Sequence, residues 1–309
     1  MRFEDALRSA GLLPKAVVAD GKIRRCGTAD KPRSDNGWYV LHPDGHGVWG
    51  DWATGSSEPL GTWKDEHAVV DPARLARLQR EAEERREQER QDRRHAIERA
   101  RRYWSDADPL SQPHKYIADK GLTPYGCAGL RTHDGQLLVP MLWHGERGTS
   151  LLNVQSIAVD GEKLFRKDAP KKGCSFILDR PRYAVTALVE GLATGLAIFQ
   201  SVRMARVVVC FDAGNLLPVA EQLHVVGRLI GSVVVCADDD HGTFARRGFN
   251  PGIDKARNVA DRFGCGVAAP DGIEGTDWAD ALKEWGEGGA RRIERLVLAS
   301  ARLVMPQAP

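Results

Sequence analysis

The sequence predicts an α/β protein, with a mostly parallel sheet in its second half and smaller structural units before it. Apolar runs of strand length alternate with helix-forming segments from about residue 181 onward, as in a doubly wound sheet. Two of those runs end in acidic residues, and the start of the chain is rich in hairpin and turn signals. The predicted strands are Ala184–Val189, Arg206–Phe211, Ser232–Ala237 and Gly266–Ala269, and the predicted helices are Thr194–Val202, Leu217–Val226, Ile253–Phe263 and Trp278–Glu284.

Shifts in composition divide the chain into five predicted segments. A length of 309 residues is enough for two domains. A β-rich accessory module is expected over residues 1–70, followed by a charged helical linker over 71–104. A small α+β unit should occupy 105–180 and the parallel-sheet domain 181–285, with a C-terminal helix and tail over 286–309.

The composition is that of a soluble globular protein, with 42% hydrophobic and 28% charged residues. No apolar run approaches the roughly 18 residues that a membrane-spanning helix needs. The amphipathic, acid-containing N-terminus does not resemble a secretory signal. The six cysteines are scattered along the chain, which fits a reducing compartment. These features predict a cytoplasmic protein with no membrane partner.

The N-terminal module contains four tryptophans: Trp38, Trp49, Trp52 and Trp63. They could form the core of a small module, or one or two could lie exposed and stack on nucleic-acid bases beside cations such as Arg24. No Cys-x-x-Cys pair occurs, and the spacing of Cys26, His42 and His46 matches no standard zinc site. The module is therefore expected to be free of zinc.

Residues 73–104 are predicted to form a long helix. The segment has no proline or glycine, and from Arg74 to Arg102 it contains eleven arginines and seven acidic residues. Pairs such as Glu81 and Arg85 are spaced i,i+4 in the favourable order. The helix could be a solvated spacer, or its excess of arginines could follow nucleic-acid phosphates.

The two acidic strand ends carry the strongest functional signal. The first predicted strand runs into Glu190-Gly191, and the third runs into Asp238-Asp239-Asp240. The carboxyl ends of parallel strands meet at one edge of the sheet, where open α/β sheets place their sites. Taken one at a time, these acids could be helix N-terminal or turn residues. Together they form a set of hard oxygen ligands that suits Mg²⁺ and phosphoryl-transfer chemistry.

The same acids lie in an ordered series of motifs, which consists of Glu190-Gly191, Ala213 to Leu216 (AGNL), Asp238 to Asp240 and Gly275 to Asp280 (GTDWAD). This series resembles the Toprim domain, particularly as found in plasmid and phage primases, relatives of the DnaG-type primases. Similar upstream elements are Lys115 to Ile117, Lys120 to Leu122, the Leu137 to Met141 strand, the Gln155 to Phe165 hairpin and Lys172-Gly173. The resemblance covers roughly residues 108–285, more than half of the chain.

This resemblance implies a DNA primase, a nucleotidyltransferase that makes short RNA primers on single-stranded DNA during DNA replication. It implies Mg²⁺ or Mn²⁺ as cofactor, with Glu190, Asp238 and Asp240 as catalytic, metal-binding carboxylates and Asp277 as a further metal ligand. Asp277 and Asp280 could instead cap the helix that begins at Trp278. The expected partners are single-stranded DNA and ribonucleoside triphosphates. No P-loop motif occurs in the sequence, which leaves a separate replicative helicase as a candidate partner.

Several basic residues are predicted to bind nucleotide or nucleic acid. Some surround Phe165, in a stretch that in DnaG-type primases belongs to a basic face for template and nucleotide. Others follow Asp240, in a segment expected to be a loop that could bind a triphosphate. A charged hairpin face or a solvated loop would also explain them, and Asn215 could be a turn or a site residue. The predicted binding residues are Lys120, Lys163, Arg166, Lys167, Lys172, Arg246 and Lys255.

Two other functions stay open from the sequence. A Toprim nuclease would use similar carboxylates to break phosphodiester bonds, and a non-catalytic replication factor would only bind DNA. The upstream segment, residues 108–180, favours a primase because it resembles the primase-specific unit. The basic residues suited to nucleotide binding argue against a purely non-catalytic role.

Overall fold

A computed structural model describes residues 2–54, 59–65, 72–123 and 129–306. Contacts within the chain define two compact units, Met1–Arg90 and Gln91–Pro309. The boundary between them falls inside one long helix, and each unit has its own sheet structure and hydrophobic core. Among the described helices, none combines the length and the apolar character that crossing a membrane would require.

The N-terminal unit consists of helix α1 (Phe3–Ser9) and a five-stranded antiparallel sheet in the order β1-β2-β3-β4-β5. The core between the helix and the sheet contains Phe3, Leu7 and Tyr39, and Trp49 and Trp63 pack against it. Trp38 is buried, whereas Trp52 is 40% exposed and stacks near Trp38 at 5.5 Å between ring centroids. The tryptophans therefore serve mainly as core residues, with Trp52 at the surface. The strands are β1 (Leu12–Leu13), β2 (Arg24–Thr28), β3 (Gly37–Leu41), β4 (His46–Asp51) and β5 (Gly61–Lys64).

Helix α2 (Pro72–Ser105) is the long charged helix, with 34 residues and a length of about 50 Å at 1.5 Å per residue. Most of its described side chains are exposed, as its composition predicts. Near its end, Ala96 and Ala100 are buried. The Arg101 guanidinium donates to the carbonyl of Leu151 at 3.0 Å, which fixes the C-terminal part of the helix to the C-terminal unit.

The first part of the C-terminal unit is an antiparallel sheet in the order β10-β9-β8-β7-β6. A short helix, α3 (Lys115–Asp119), lies between its first two strands in the sequence. Leu137, Met141 and Ile157 point into the main core, and their strands form the long central hairpin of this sheet. The strands are β6 (Asp108–Pro109), β7 (Arg131–His133), β8 (Gln136–Gly145), β9 (Gly148–Ile157) and β10 (Lys163–Phe165).

The second sheet of the C-terminal unit has the order β11-β13-β12-β14-β15, and β16 also pairs with β14. Strands β12 to β15 are parallel, while β11 and β16 pair antiparallel with their neighbours. The strands are β11 (Phe176–Leu178), β12 (Val185–Val189), β13 (Ala205–Val209), β14 (Gly231–Cys236), β15 (Gly266–Ala268) and β16 (Arg302–Val304). The helices are α4 (Leu192–Ser201), α5 (Leu216–Val225), α6 (His241–Arg247), α7 (Pro251–Phe263), α8 (Trp278–Glu284) and α9 (Gly289–Ser300).

Helices cover both faces of this sheet. Helices α4, α8 and α9 share one hydrophobic core, and α5 and α7 share the other. Helix α4, which follows β12, therefore packs on the opposite face from α7, which comes after β14, although the two strands are neighbours. Such a change of face opens a crevice at the carboxyl ends of the two strands, and this is the usual position of a binding site in an open α/β sheet.

The mixed α/β class predicted from the sequence is confirmed, and two local predictions are wrong. The segment after Asp240 is helix α6, where a loop was expected, and Gly248 in the left-handed conformation (φ 75°) ends it. The tail after α9 contains strand β16, where frayed chain was expected. Three residues give too short an apolar pattern to reveal a strand, and pairing with Gly231, Ser232 and Val233 of β14 stabilises it.

Candidate functional site at the carboxyl edge of the parallel sheet

Glu190 and Asp238 lie at the crevice between β12 and β14. Glu190 directly follows β12, and Asp238 comes two residues after β14. The pairing of Val189 with Cys236 brings these two strand ends side by side. Two carboxylates predicted from separate strands therefore flank the crevice of the sheet.

The Glu190 carboxylate is partly buried and closely packed against the start of α7. Its Oε1 atom is buried and has no hydrogen-bond partner among the described residues. Burial raises the pKa of Glu190 to about 7, with a further contribution from the negative charge of Asp240. A Cβ atom at Gly252 would lie 2.9 Å from Glu190 Oε1 and 2.4 Å from the Asp238 carbonyl oxygen. Only glycine therefore lets the first turn of α7 approach both acids, a role that the sequence did not reveal.

Asp238 has one side-chain partner among the described residues. The Thr194 hydroxyl donates to Asp238 Oδ1 at 2.8 Å. Burial raises the pKa of Asp238 well above its usual value, and the Glu190 carboxylate adds to that rise. The Thr194 hydrogen bond acts in the opposite direction because it stabilises the charged form.

Asp239 and Asp240 have different surroundings. The Asn250 amide donates to Asp239 Oδ1 at 2.7 Å, and the same Asn250 side chain caps α7 through the Ile253 N–H. Asp240 occupies the N-cap position of α6, but its side chain makes no capping hydrogen bond. The Asp240 carboxylate is therefore available to bind a cation, whereas the Asp239 carboxylate is held by Asn250.

Asp277 and Asp280 form the capping box of α8. Asp277 Oδ1 accepts hydrogen bonds from the backbone N–H groups of Ala279 and Asp280. Lys120 lies 2.9 Å from Asp277 Oδ2 and 3.4 Å from Asp280 Oδ1. Burial alone would raise the pKa of Asp280, but the Thr276 backbone N–H and the Lys120 ammonium outweigh it, so that the pKa lies below its ordinary value. The helix-capping role considered for these acids is confirmed, and the metal role of Asp277 stays a prediction.

Lys163 reaches the acidic edge from the antiparallel sheet. A Cβ atom on Gly191 would lie 3.5 Å from Lys163 Nζ, which places the ammonium beside the turn that follows Glu190. Its positive charge lowers the pKa of both Glu190 and Asp238, although burial and the negative charges of neighbouring carboxylates keep both values raised. The structure thus brings together residues from two sheets that the sequence connected only by resemblance.

Arg166 contacts both the end of helix α2 and the antiparallel sheet. Its guanidinium lies over the Tyr103 ring at 4.4 Å and donates to Ser156 Oγ at 2.7 Å. Lys167 is exposed to solvent. The side chain of Arg246 lies outside the part of the chain that the structure describes. The nucleic-acid role of these three residues stays a prediction.

Lys172 and Lys255 line the same cavity of about 440 Å³ next to the start of α5. They come from distant parts of the sequence. Lys171, which lies in the same cavity, pairs with Asp212 at 2.5 Å. The exposed Lys172 and Lys255 have no ion-pair partner among the described residues. The cavity therefore has the positive charge that a phosphate group would need.

Asn215 ties the lysine-containing loop to the parallel sheet. It is buried, and its amide oxygen accepts from the Gly173 N–H at 2.8 Å. Its amide nitrogen donates to the carbonyl oxygens of Cys174 and Cys210 at 3.0 and 2.7 Å. All of these contacts are with the backbone, so the structure gives Asn215 a structural role.

The carboxylate edge has the chemistry of a divalent-cation site. Within the described residues, no group of three or more His, Cys, Asp and Glu side chains is already arranged to hold a metal ion. The Oε1 atom of Glu190 is nevertheless buried without a partner, and neighbouring carboxylates raise the pKa of both Glu190 and Asp238, so a cation at this edge would offset uncompensated negative charge. Carboxylate oxygens are the ligands that Mg²⁺ and Mn²⁺ prefer, so these residues fit such an ion.

The fold and the site define an α/β protein with an acidic, cation-suited edge on its parallel sheet. In sequence, the chain is similar to two proteins named DNA primase TraC from Escherichia coli. One is 34% identical over 278 residues, which cover 85% of this chain and 25% of that protein. The other is 33% identical over 280 residues, which cover 85% of this chain and 19% of that protein. The chain thus spans a quarter or less of the length of these relatives, and its predicted resemblance to primases is confirmed.

Solved structures show more distant similarities. The primase fragment of the bacteriophage T7 primase-helicase protein has a TM-score of 0.40 and 12% identity, covering 61% of this chain and 74% of that chain. The DnaG primase catalytic domain bound to ssDNA has a TM-score of 0.39 and 14% identity, covering 67% of this chain and 82% of that chain. No protein-family profile matches the chain.

Proposed function

We propose that this chain contains a primase core of the Toprim type, which makes RNA primers on single-stranded DNA. The observation that carries the proposal is that Glu190 and Asp238 follow the neighbouring strands β12 and β14 at the crevice of the sheet, where Glu190 has a buried oxygen without a partner among the described residues. The relationship to primases named TraC supports the same function.

The metal-binding residues of this proposal are Glu190, Asp238 and Asp240, and the proposed ion is Mg²⁺ or Mn²⁺. The bound ion would lower the pKa of the attacking 3′-hydroxyl and neutralise the leaving pyrophosphate. Asp277 would add negative charge to the same edge, because its carboxylate already raises the pKa of Asp238. Lys120 would hold Asp277 in place through their ion pair.

The basic residues of the edge supply the proposed nucleotide and template contacts. Lys172 and Lys255 would bind the triphosphate in the cavity that they share. Lys163 would bind phosphate next to the carboxylates, because its ammonium lies beside Gly191. Lys167 is exposed and free to contact the template backbone, and Arg246 is proposed for the same role.

The five-segment division of the chain is part of the proposal. The module over residues 1–70 would tune the choice of template, and the helix over 71–104 would connect it to the primase-type unit over 105–180. The Toprim catalytic domain would occupy 181–285, and residues 286–309 would complete it. A replicative helicase on a separate chain is the proposed partner that would supply unwound template.

Incubation of the full chain with single-stranded DNA, labelled ribonucleoside triphosphates and Mg²⁺ or Mn²⁺ tests this function. The expected products are short RNA chains that disappear when the metal is chelated. Cleavage of labelled DNA without synthesis would instead identify a nuclease. DNA binding without either reaction would identify a non-catalytic accessory factor.

A further inference from the structure

Thr194 makes an unusual hydrogen bond for a threonine near the start of a helix. It is the third residue of α4 and is only 1% exposed. A helical threonine commonly directs its hydroxyl to a backbone carbonyl three or four residues earlier. The Thr194 hydroxyl instead leaves its own helix and donates to the Asp238 carboxylate, which follows a neighbouring strand, at 2.8 Å.

This contact fixes one oxygen of Asp238 and leaves the other available. Asp238 Oδ1 accepts the Thr194 hydrogen, whereas Oδ2 accepts no hydrogen bond from any described residue. A hydroxyl carries no net charge, so Thr194 can orient Asp238 without adding to the negative charge that Glu190 and Asp240 already bring. It also ties the helix that follows Glu190 to the acid that follows β14.

We infer that Thr194 is a positioning residue that holds Asp238 by Oδ1 and presents Oδ2 to a divalent cation. The inference rests on the proposed function, because it needs the carboxylate edge to be a metal site. Residues that orient a metal ligand from behind typically contribute about 10- to 100-fold to metal affinity. An effect of that size is expected when the hydroxyl is removed.

Mn²⁺ binding to the full chain tests the inference without an assay of enzymatic activity. It can be measured by calorimetry or by the loss of the paramagnetic resonance signal of free Mn²⁺. Thr194→Val keeps the shape and removes the donor, and Thr194→Ser keeps the donor. Thr186→Val is the matched control, because Thr186 on β12 is also buried and its hydroxyl has no partner among the described residues. The Mg²⁺ concentration that gives half-maximal primer synthesis provides a second readout.

Thr194→Val should weaken Mn²⁺ binding about 10- to 100-fold, while Thr194→Ser and Thr186→Val should stay within about threefold of the natural chain. Mn²⁺ affinity of Thr194→Val within twofold of the natural chain would overturn the inference, as would an equal loss in Thr194→Ser. If Thr194→Val does not fold, Thr194→Cys replaces it, because its S–H group is a weaker donor. Thr194→Cys should also weaken Mn²⁺ binding, and an unchanged Mn²⁺ affinity of this variant would overturn the inference. If the natural chain does not bind Mn²⁺, both the proposed metal site and this inference are wrong. If the natural chain binds Mn²⁺ and Thr194→Val binds it equally well, only the inference is wrong.

Discussion

The ammonium of Lys120 lies 2.9 Å from Asp277 and joins the C-terminal end of α3 to the start of α8. The two residues are 157 positions apart in sequence, and both side chains are largely shielded, with 28% and 20% exposure. The same ammonium also reaches Asp280 at 3.4 Å. Lys120 therefore ties α3 to the N-terminus of α8, whose Asp277 acts electrostatically on Asp238 of the candidate site.

Lys120→Met should lower the free energy of unfolding by about 1 kcal/mol, because it leaves two shielded carboxylates without their counter-charge. Urea denaturation measures the change. Lys115→Met is the matched control, since Lys115 pairs with Asp119 on the exposed surface of α3 and should change stability by less than about 0.5 kcal/mol. Equal stability of the two variants would mean that the Lys120 pair is as weak as an ordinary surface pair.

Substitutions of the three acids after β14 should show that Asp238 and Asp240 are needed for primer synthesis and that Asp239 is not. Asp238→Asn and Asp240→Asn should each reduce metal-dependent primer synthesis by orders of magnitude, because each removes a charge from the cation site. Asp239→Asn should matter much less, since the Asp239 carboxylate already accepts the Asn250 amide. Primer yield at saturating Mg²⁺ is the measurement. Full activity in Asp238→Asn would exclude the proposed mechanism.

The raised pKa of Glu190, about 7, predicts how pH affects the metal-free protein. Between the ordinary glutamate pKa and about 7, the folded protein keeps a proton that the unfolded chain releases. Stability should therefore fall as pH rises through this window. Mn²⁺ affinity should rise over the same window, because the ion competes with that proton.

Urea midpoints and Mn²⁺ affinities at pH 5.5, 6.5 and 7.5 check this prediction. Glu190→Gln cannot titrate at this position, so its stability should vary less with pH than that of the natural chain. Asp238, whose pKa is raised too, should leave part of the dependence in place. Identical pH profiles for the two proteins would show that Glu190 does not titrate in this range.

The positions of Glu190 and Asp238 at the ends of strands could be predicted because the apolar pattern of each strand and the acid that follows it are adjacent in the sequence. Apolar strands that end in Glu190 and Asp238 can be recognised from a few adjacent residues, and parallel pairing then brings them together. The long helix was equally accessible, since 34 residues of helix-forming sequence contain no interior breaker. The long helix and the acidic edge therefore followed from local rules.

Contacts between distant segments could not be predicted in this way. The Thr194 hydrogen bond, the close approach of Gly252 and the Lys120 pair each depend on where a residue far away in the sequence lies after folding. Strand β16 was missed for the same reason, because its three residues gain stability from pairing with β14. A single glycine or threonine in a sequence carries no sign of such a tertiary role.

Removal of exposed cations near the site should weaken DNA binding in a salt-dependent manner. The triple substitution Lys163→Ala, Lys167→Ala and Lys172→Ala should reduce the slope of log affinity against log salt by about 0.7 for each phosphate that the variant no longer neutralises. Fluorescence anisotropy with a labelled single strand at several salt concentrations measures that slope. Arg166→Ala is the matched contrast, because Arg166 is held by Tyr103 and Ser156 and its replacement should mainly lower stability. An unchanged slope in the triple variant would mean that these lysines are only solvated.

The N-terminal module is expected to contribute to template binding but not to metal binding. The fragment Gln91–Pro309 keeps the buried Ala96 and Ala100 of α2 and the whole carboxylate edge, so it should fold and bind Mn²⁺ like the full chain. Its affinity for single-stranded DNA should be lower by about 1–3 kcal/mol if one exposed aromatic ring stacks on a base. Trp52→Ala in the full chain should reproduce most of that loss, because Trp52 is the tryptophan of this module with 40% exposure. Unchanged DNA affinity in both the fragment and Trp52→Ala would show that the module does not contact the template.

Elemental analysis of the full chain should find no stoichiometric zinc, because the spacing of Cys26, His42 and His46 matches no standard zinc site. Stoichiometric zinc would contradict this zinc-free prediction.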